Sequence, residues 1–247
     1  MGKGKAIVLL HGFMETRKIW ASFARKLSST YRVFIIDLPG HGDSSTYGYC
    51  HSMEFMAEAV MAVLKTYRIR RYHIVGHSMG GYVAMGLAEI QADNIRGICM
   101  FHSTSQADSE TKKKERNKVI KVVGRNKAIF IREAIPKLFN TRYKPYKRLI
   151  QRYITEAMKM EAQGIVAALE GMKIRPDRQI VMKFAPYPFL YIVGEHDNIL
   201  PKKKLISEAR DSENASYCIL ERSGHMGFEE ESEASFSALE SFLKKTP

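Results

Sequence analysis

Residues 73–90 read His73-Ile74-Val75-Gly76-His77-Ser78-Met79-Gly80-Gly81-Tyr82-Val83-Ala84-Met85-Gly86-Leu87-Ala88-Glu89-Ile90, and the reading of the fold turns on them. A short apolar run, His73–Val75, leads directly into Gly-x-Ser-x-Gly, and a helical run from Gly80 to Ile90 follows. A strand that turns this tightly into a helix holds its serine in a strained conformation with the hydroxyl exposed. Side chains at Gly76 or Gly80 would collide across the turn, so both positions ask for glycine. The helix that follows offers free N–H groups and the positive end of its dipole. The five-residue pattern alone arises often by chance. A strand before it and a helix after it make it specific.

Outward from this turn, apolar β-rich runs alternate with amphipathic ones, the pattern of a parallel sheet covered by helices. Strands are expected at Ala6–Leu10, Arg32–Ile36, His73–Val75, Gly97–Phe101, Phe189–Val193 and Ser216–Leu220. Helices are expected near Ile19–Leu27, Met53–Lys65, Gly80–Ile90, Lys202–Ala209 and Glu230–Leu243. The last carries Glu229, Glu230 and Glu231 at its start and Lys244 and Lys245 at its end, as a helix dipole favours. The alternation stops after Phe101. Residues 105–180 contain only basic helical segments, divided by Gly124, Pro136, Pro145 and Gly164. The expected division is a core of residues 1–104 and 181–247 with an all-helical lid, 105–180, over the sheet's carboxyl edge, where ligands bind in such folds.

A serine hydroxyl needs a base to take its proton. Eight histidines compete for that role. The chain order of this architecture is serine, acid, histidine, which leaves His196 and His225. His225 lies in Ser223-Gly224-His225-Met226-Gly227, just after an expected strand, whereas His196 sits in the loop expected to carry the acid. His225 is the better base. In Val193-Gly194-Glu195-His196-Asp197 a strand ends and a carboxylate follows three residues on, so Asp197 is preferred to Glu195 as the group that orients the base. Two aimed N–H donors, each worth roughly 3–4 kcal/mol, must meet the developing oxyanion. Met79 supplies one, as the residue after the nucleophile. Phe13, in the loop His11-Gly12-Phe13-Met14, is the best candidate for the other. Pocket candidates are His11, Gly12, His102, Phe139, Tyr153 and Met226, with His102 placed near the pocket mouth. Asp37-Leu38-Pro39-Gly40-His41-Gly42 reads as turn chemistry.

The 247 residues carry a net charge of +13, and residues 106–180 hold 19 Lys and Arg against 8 Asp and Glu, which is most of the excess. Such a charge points to acidic partners or substrates, although a charge run of this kind is more often a solvated helix face. No run approaches the ~20 apolar residues of a membrane span. The apolar stretch Ala6–Leu10 is too short for a signal peptide, so a cytoplasmic location is expected. Three widely spaced cysteines, Cys50, Cys99 and Cys218, read as reduced thiols. No nucleic-acid-binding module is recognisable, and no metal site is expected.

With these residues in place, the chain resembles the α/β-hydrolase superfamily. It looks most like the lidded branch of small bacterial carboxylesterases, enol-lactonases and pimeloyl-acyl-carrier-protein methyl ester esterases. The resemblance rests on the His11-Gly12 loop, Asp37 to Ser44, the Ser78 turn, Asp197 and His225, in that order. It implies a mostly parallel sheet flanked by helices and hydrolysis of an ester or lactone without a cofactor. Only five residues precede Ala6, so the strand pair with which relatives begin is expected to be missing and one sheet edge open. The substrate is expected to be a small-molecule ester or an acyl group on an acidic carrier protein docked at the basic lid. A ligand receptor of the same fold is the non-enzymatic alternative.

Overall fold

The protein is described by a computed structural model covering residues 1–142 and 144–246. Among these, six parallel strands form one sheet: β1 (Ala6–Leu10), β2 (Arg32–Ile36), β3 (Tyr72–His77), β4 (Ile95–Phe101), β5 (Phe189–Gly194) and β6 (Ala215–Leu220). Their order is β2-β1-β3-β4-β5-β6. β1, β3 and β5 are buried along their whole length, which is why they read as unbroken apolar runs rather than as alternating ones. Among the described residues no strand pair precedes β1, and β2 is an edge strand. That edge is less open than the sequence suggests, because Val33 N–H donates to Met1 O at 2.7 Å and the Met1 ammonium donates to Val33 O at 2.9 Å.

Helices α1 (Ala21–Leu27), α2 (Met53–Thr66) and α3 (Met79–Ile90) follow the first three strands. Between β4 and β5 the described residues hold only helices: α4 (Glu110–Ala134), α5 (Lys147–Met158), α6 (Ala162–Ile174) and α7 (Gln179–Lys183). The expected boundary at 180 therefore falls inside α7. α8 (Lys202–Arg210), α9 (Gly227–Glu230) and α10 (Ser232–Lys245) complete the chain.

Three of the expected helix divisions differ from the sequence reading, each for a local reason. α4 breaks at Asn126 (φ −158°, ψ 90°) rather than at Gly124. The Asn126 Oδ1 accepts from Ala128 N and Ile129 N at 3.1 and 3.2 Å, capping the second segment from within. Gly164 lies inside α6 and divides nothing; a Cβ there would come 2.7 Å from Gly40 O, so it marks close approach of the insert to that loop. The single helix expected over Glu230–Leu243 is broken at Glu231 (φ −133°, ψ 58°) into α9 and α10. The side chains of Glu230 and Glu231 bond to the preceding loop instead of serving only the helix dipole.

Candidate active site

Ser78 joins β3 to α3 with φ +48° and ψ −113°. A Cβ on Gly76 would lie 2.4 Å from Gly80 O, and one on Gly80 would lie 2.5 Å from Leu10 O, so both glycines are obligatory. Such a backbone costs on the order of 1–3 kcal/mol and persists only where its surroundings fix it. Here Ser78 N–H donates to Phe101 O at 2.9 Å, and Ser103 Oγ donates to Ser78 O at 2.7 Å. The turn is thereby tied to the end of β4.

His225, in the loop between β6 and α9, donates from Nδ1 to Asp197 Oδ2 at 2.7 Å. The other carboxylate oxygen accepts from Ile199 N and Leu200 N at 2.8 and 3.0 Å. Burial opposes the charge on Asp197, yet the adjoining His225 and the hydrogen bond to His102 hold its carboxyl far below the usual range. Glu195, the rival acid, pairs instead with Lys202 Nζ at 2.5 Å. The backbone of His225 is gripped from two sides. Its N–H donates to Leu138 O of the helical insert at 2.7 Å, and its carbonyl lies 2.9 Å from His77 Nε2.

The Phe13 and Met79 amides sit at the ends of β1 and β3 respectively, and among the described residues neither donates to a protein acceptor. The direction of the Phe13 amide is set by its neighbours. His11 Nε2 accepts from Leu38 N–H at 2.9 Å, so Nδ1 carries the proton and donates to Gly12 O at 2.8 Å. Because C=O and N–H oppose each other across a trans peptide, holding Gly12 O fixes where Phe13 N–H points.

Several expected pocket residues take other places. His102 is fully buried rather than near a pocket mouth, with φ +47°. Its Nδ1 is 3.3 Å from Asp197 Oδ2 and its Nε2 accepts from Gly227 N–H at 3.2 Å. Burial keeps this ring neutral, with a pKa pushed down to about 4 despite the nearby carboxylate. His11 is likewise fully buried, a tie between two loops. Gly12 is a close-approach position, since a Cβ would lie 2.7 Å from His77 Nδ1. Met226 is buried beside His225. Phe139 stacks near Tyr146 and Tyr153, and the Tyr153 hydroxyl donates to Glu229 Oε1 at 2.8 Å. The Phe13 ring meets Phe130 of α4 at 6.4 Å, so the insert reaches the loop after β1.

Three residues at the site were not singled out from sequence. Glu230 Oε1 accepts from Asn140 N at 2.6 Å, while Oε2 accepts from Gly224 N and Met226 N at 2.8 and 3.1 Å. It clasps the His225 loop to the insert, and burial raises its pKa to about 7. Glu15 and His77 form a buried pair beneath the Ser78 turn. No spacing rule predicts Glu15 or Glu230. His77 could have been found, because a histidine ending a fully buried strand needs partners for both ring nitrogens. The donor atoms of His102, Asp197 and His225 lie within 4.8 Å of one another, a geometry their mutual hydrogen bonds explain. Among the described residues no helix is long and apolar enough to cross a membrane.

Comparison with known proteins agrees with the fold. The family described as alpha/beta hydrolase fold matches residues 5–232. A dihydrolipoyllysine-residue acetyltransferase component of the acetoin cleaving system from Pseudomonas putida is 26% identical over 98% of this chain, which spans only 64% of that protein's length. A pimeloyl-[acyl-carrier protein] methyl ester esterase from Xanthomonas campestris pv. campestris is 24% identical, covering 100% of this chain and 98% of its own. Among solved structures, a thermophilic esterase from Thermogutta terrifontis superposes with a TM-score of 0.94 at 28% identity, covering 99% of this chain and 91% of that one.

Proposed function

The chain belongs to the alpha/beta hydrolase fold family, and on that premise we propose that it is a serine hydrolase of carboxylic esters, with Ser78 as nucleophile, His225 as base and Asp197 orienting the base. The observation that carries this reading is the 2.7 Å contact of His225 Nδ1 with Asp197 Oδ2, in a loop whose carbonyl is bonded to the residue preceding Ser78. Ser78 Oγ attacks the ester carbonyl while His225 Nε2 takes its proton. The oxyanion rests on the amides of Phe13 and Met79. His225 then passes the proton to the departing alcohol, leaving the acyl group on Ser78. Water, deprotonated by the same imidazole, releases the acid and restores the hydroxyl. The carboxylate of Asp197 stabilises the imidazolium that forms twice in each cycle. In this reading residues 105–180 are a lid, and Phe13, Phe130 and Phe139 line the approach to Ser78.

A p-nitrophenyl ester is expected to give a burst of nitrophenol stoichiometric with enzyme, followed by slower turnover. Ser78→Ala is expected to abolish both while leaving thermal unfolding in place. Turnover by that variant at the parent rate would reject the assignment.

A second reading of the substrate has a specific support. Lys114, Lys118, Lys121 and Arg125 are exposed on α4 at spacings of four, three and four, which puts four cations on one helix face. In this reading the acyl group arrives on an acidic carrier protein that docks against that face.

A further inference from the structure

The pair Glu15–His77 is buried on both sides, with side chains 1% exposed. Glu15 Oε2 receives His77 Nδ1 at 2.8 Å and Gly12 N–H at 2.6 Å. His77 Nε2 lies 2.9 Å from the carbonyl oxygen of His225. A carboxylate and a carbonyl are both acceptors, so both ring nitrogens must be donors and His77 is an imidazolium. The electrostatics agree: burial alone would strip the charge from both groups, but each outweighs that cost for the other, raising the pKa of His77 and lowering that of Glu15.

This pair touches all three segments that the reaction brings together. His77 precedes Ser78 on β3. Its Nε2–H holds the carbonyl of His225. Its partner Glu15 holds the N–H of Gly12, whose carbonyl side fixes the Phe13 amide through His11 and through Glu15 N–H, 3.3 Å from Gly12 O. Glycine at position 12 leaves the room for it, since a Cβ would sit 2.7 Å from His77 Nδ1 and 2.8 Å from Glu15 Oε2.

We propose that Glu15 and His77 act as one positioning unit that sets the base loop and the oxyanion loop relative to the nucleophile. The proposal rests on the assignment of Ser78 and His225 above. Neither residue touches the substrate. Their contribution lies in geometry held before the reaction begins, and a misplacement of about 1 Å at such a site costs on the order of 100-fold in rate. Removing either member releases both loops, so the two losses coincide rather than multiply.

The test is a double-mutant cycle of Glu15→Gln, His77→Leu and the combined variant. The readout is kcat and KM on a p-nitrophenyl ester, normalised to the fraction of protein whose serine reacts with a fluorescent phosphonate. Each single variant is expected to lose about 10- to 100-fold in kcat with KM within about threefold, and the combined variant to be no worse than the poorer single one. Full kcat per reactive site in Glu15→Gln overturns the proposal, as does a combined loss equal to the product of the single losses. Glu15→Gln changes no volume, so it keeps the cycle readable if His77→Leu fails to fold. Ser78→Ala run alongside separates the two claims: its retained activity would reject the assignment of Ser78, whereas an inactive Ser78→Ala beside an unimpaired Glu15→Gln rejects the positioning unit alone.

Discussion

At the carboxyl edge of the sheet Glu15, His77, His102, Asp197 and His225 are all buried, and each is bonded to another member of the group or to the loop another member holds. On α4 the charged residues are more numerous and stand differently: Lys112 and Lys113 are 45% and 38% exposed and pair only with Glu115 and Glu110 one turn away. The two regions show two uses of charge. A buried ionised group needs a partner, because an unpaired one costs several kcal/mol. The bonds of each ring and carboxylate in this group therefore fix an orientation. Exposed pairs are worth about 0–1 kcal/mol, and only their sum reaches a partner.

The largest break of this contrast is expected at Asp197. Asp197→Asn keeps the shape and the contacts to Ile199 N and Leu200 N but removes the acceptor that fixes the His225 tautomer. A loss of roughly a thousand- to ten-thousand-fold in kcat is expected, read by steady-state hydrolysis of an activated ester. Unlike Ser78→Ala, the variant keeps the Ser78 hydroxyl, so slow labelling by a phosphonate should persist.

Glu230 stands between the two regions, and its effect is intermediate. Its pKa is raised from 4.5 to about 7 by burial, so the folded state holds the proton more tightly than the unfolded chain does. The stability tied to that proton is fully present below the unfolded value and is lost as pH rises through about 7. After allowance for its partial exposure this amounts to roughly 2 kcal/mol, or about 5 °C in Tm. Thermal unfolding of the parent should therefore weaken between pH 5 and pH 8 by that amount relative to Glu230→Gln, which carries no such proton. Parallel Tm–pH curves for the two proteins would show that the clasp on Asn140, Gly224 and Met226 is indifferent to ionisation.

The same contrast explains what was legible in the sequence. β1 and β2 begin and end where the apolar runs Ala6–Leu10 and Arg32–Ile36 do, because period and burial are local properties. Ser78, Asp197 and His225 were legible as candidates by chain order, since each follows a strand end. The contacts of Glu15, Glu230 and His102 were hidden, because each has a partner far away in sequence. Glu15 is 62 residues from His77, and Glu230 is 90 from Asn140. The acidic run Glu229-Glu230-Glu231 read as a helix start, yet its side chains bond to Tyr153, Asn140 and Ser223. Only tertiary structure distinguishes those uses.

The smallest effect belongs to the exposed stripe, and it bears most directly on the substrate. Lys114, Lys118 and Lys121 lie on one face of α4 with like charges a turn apart, a spacing that costs a few tenths of a kcal/mol per pair. Changing all three to Gln should alter stability by no more than about 0.5 kcal/mol. It should also leave kcat/KM on a p-nitrophenyl ester within about twofold, since none of the three joins the bonded network around His225. A carrier-protein-linked ester distinguishes the two uses of charge. If the stripe steers an acidic carrier, kcat/KM on that substrate falls in the triple variant and falls with added salt in the parent, because exposed charges are screened over about 8 Å at physiological ionic strength. Salt-independent turnover of the carrier-linked ester, equal in parent and variant, would reduce the stripe to a solvated face and leave the small-molecule ester as the substrate reading.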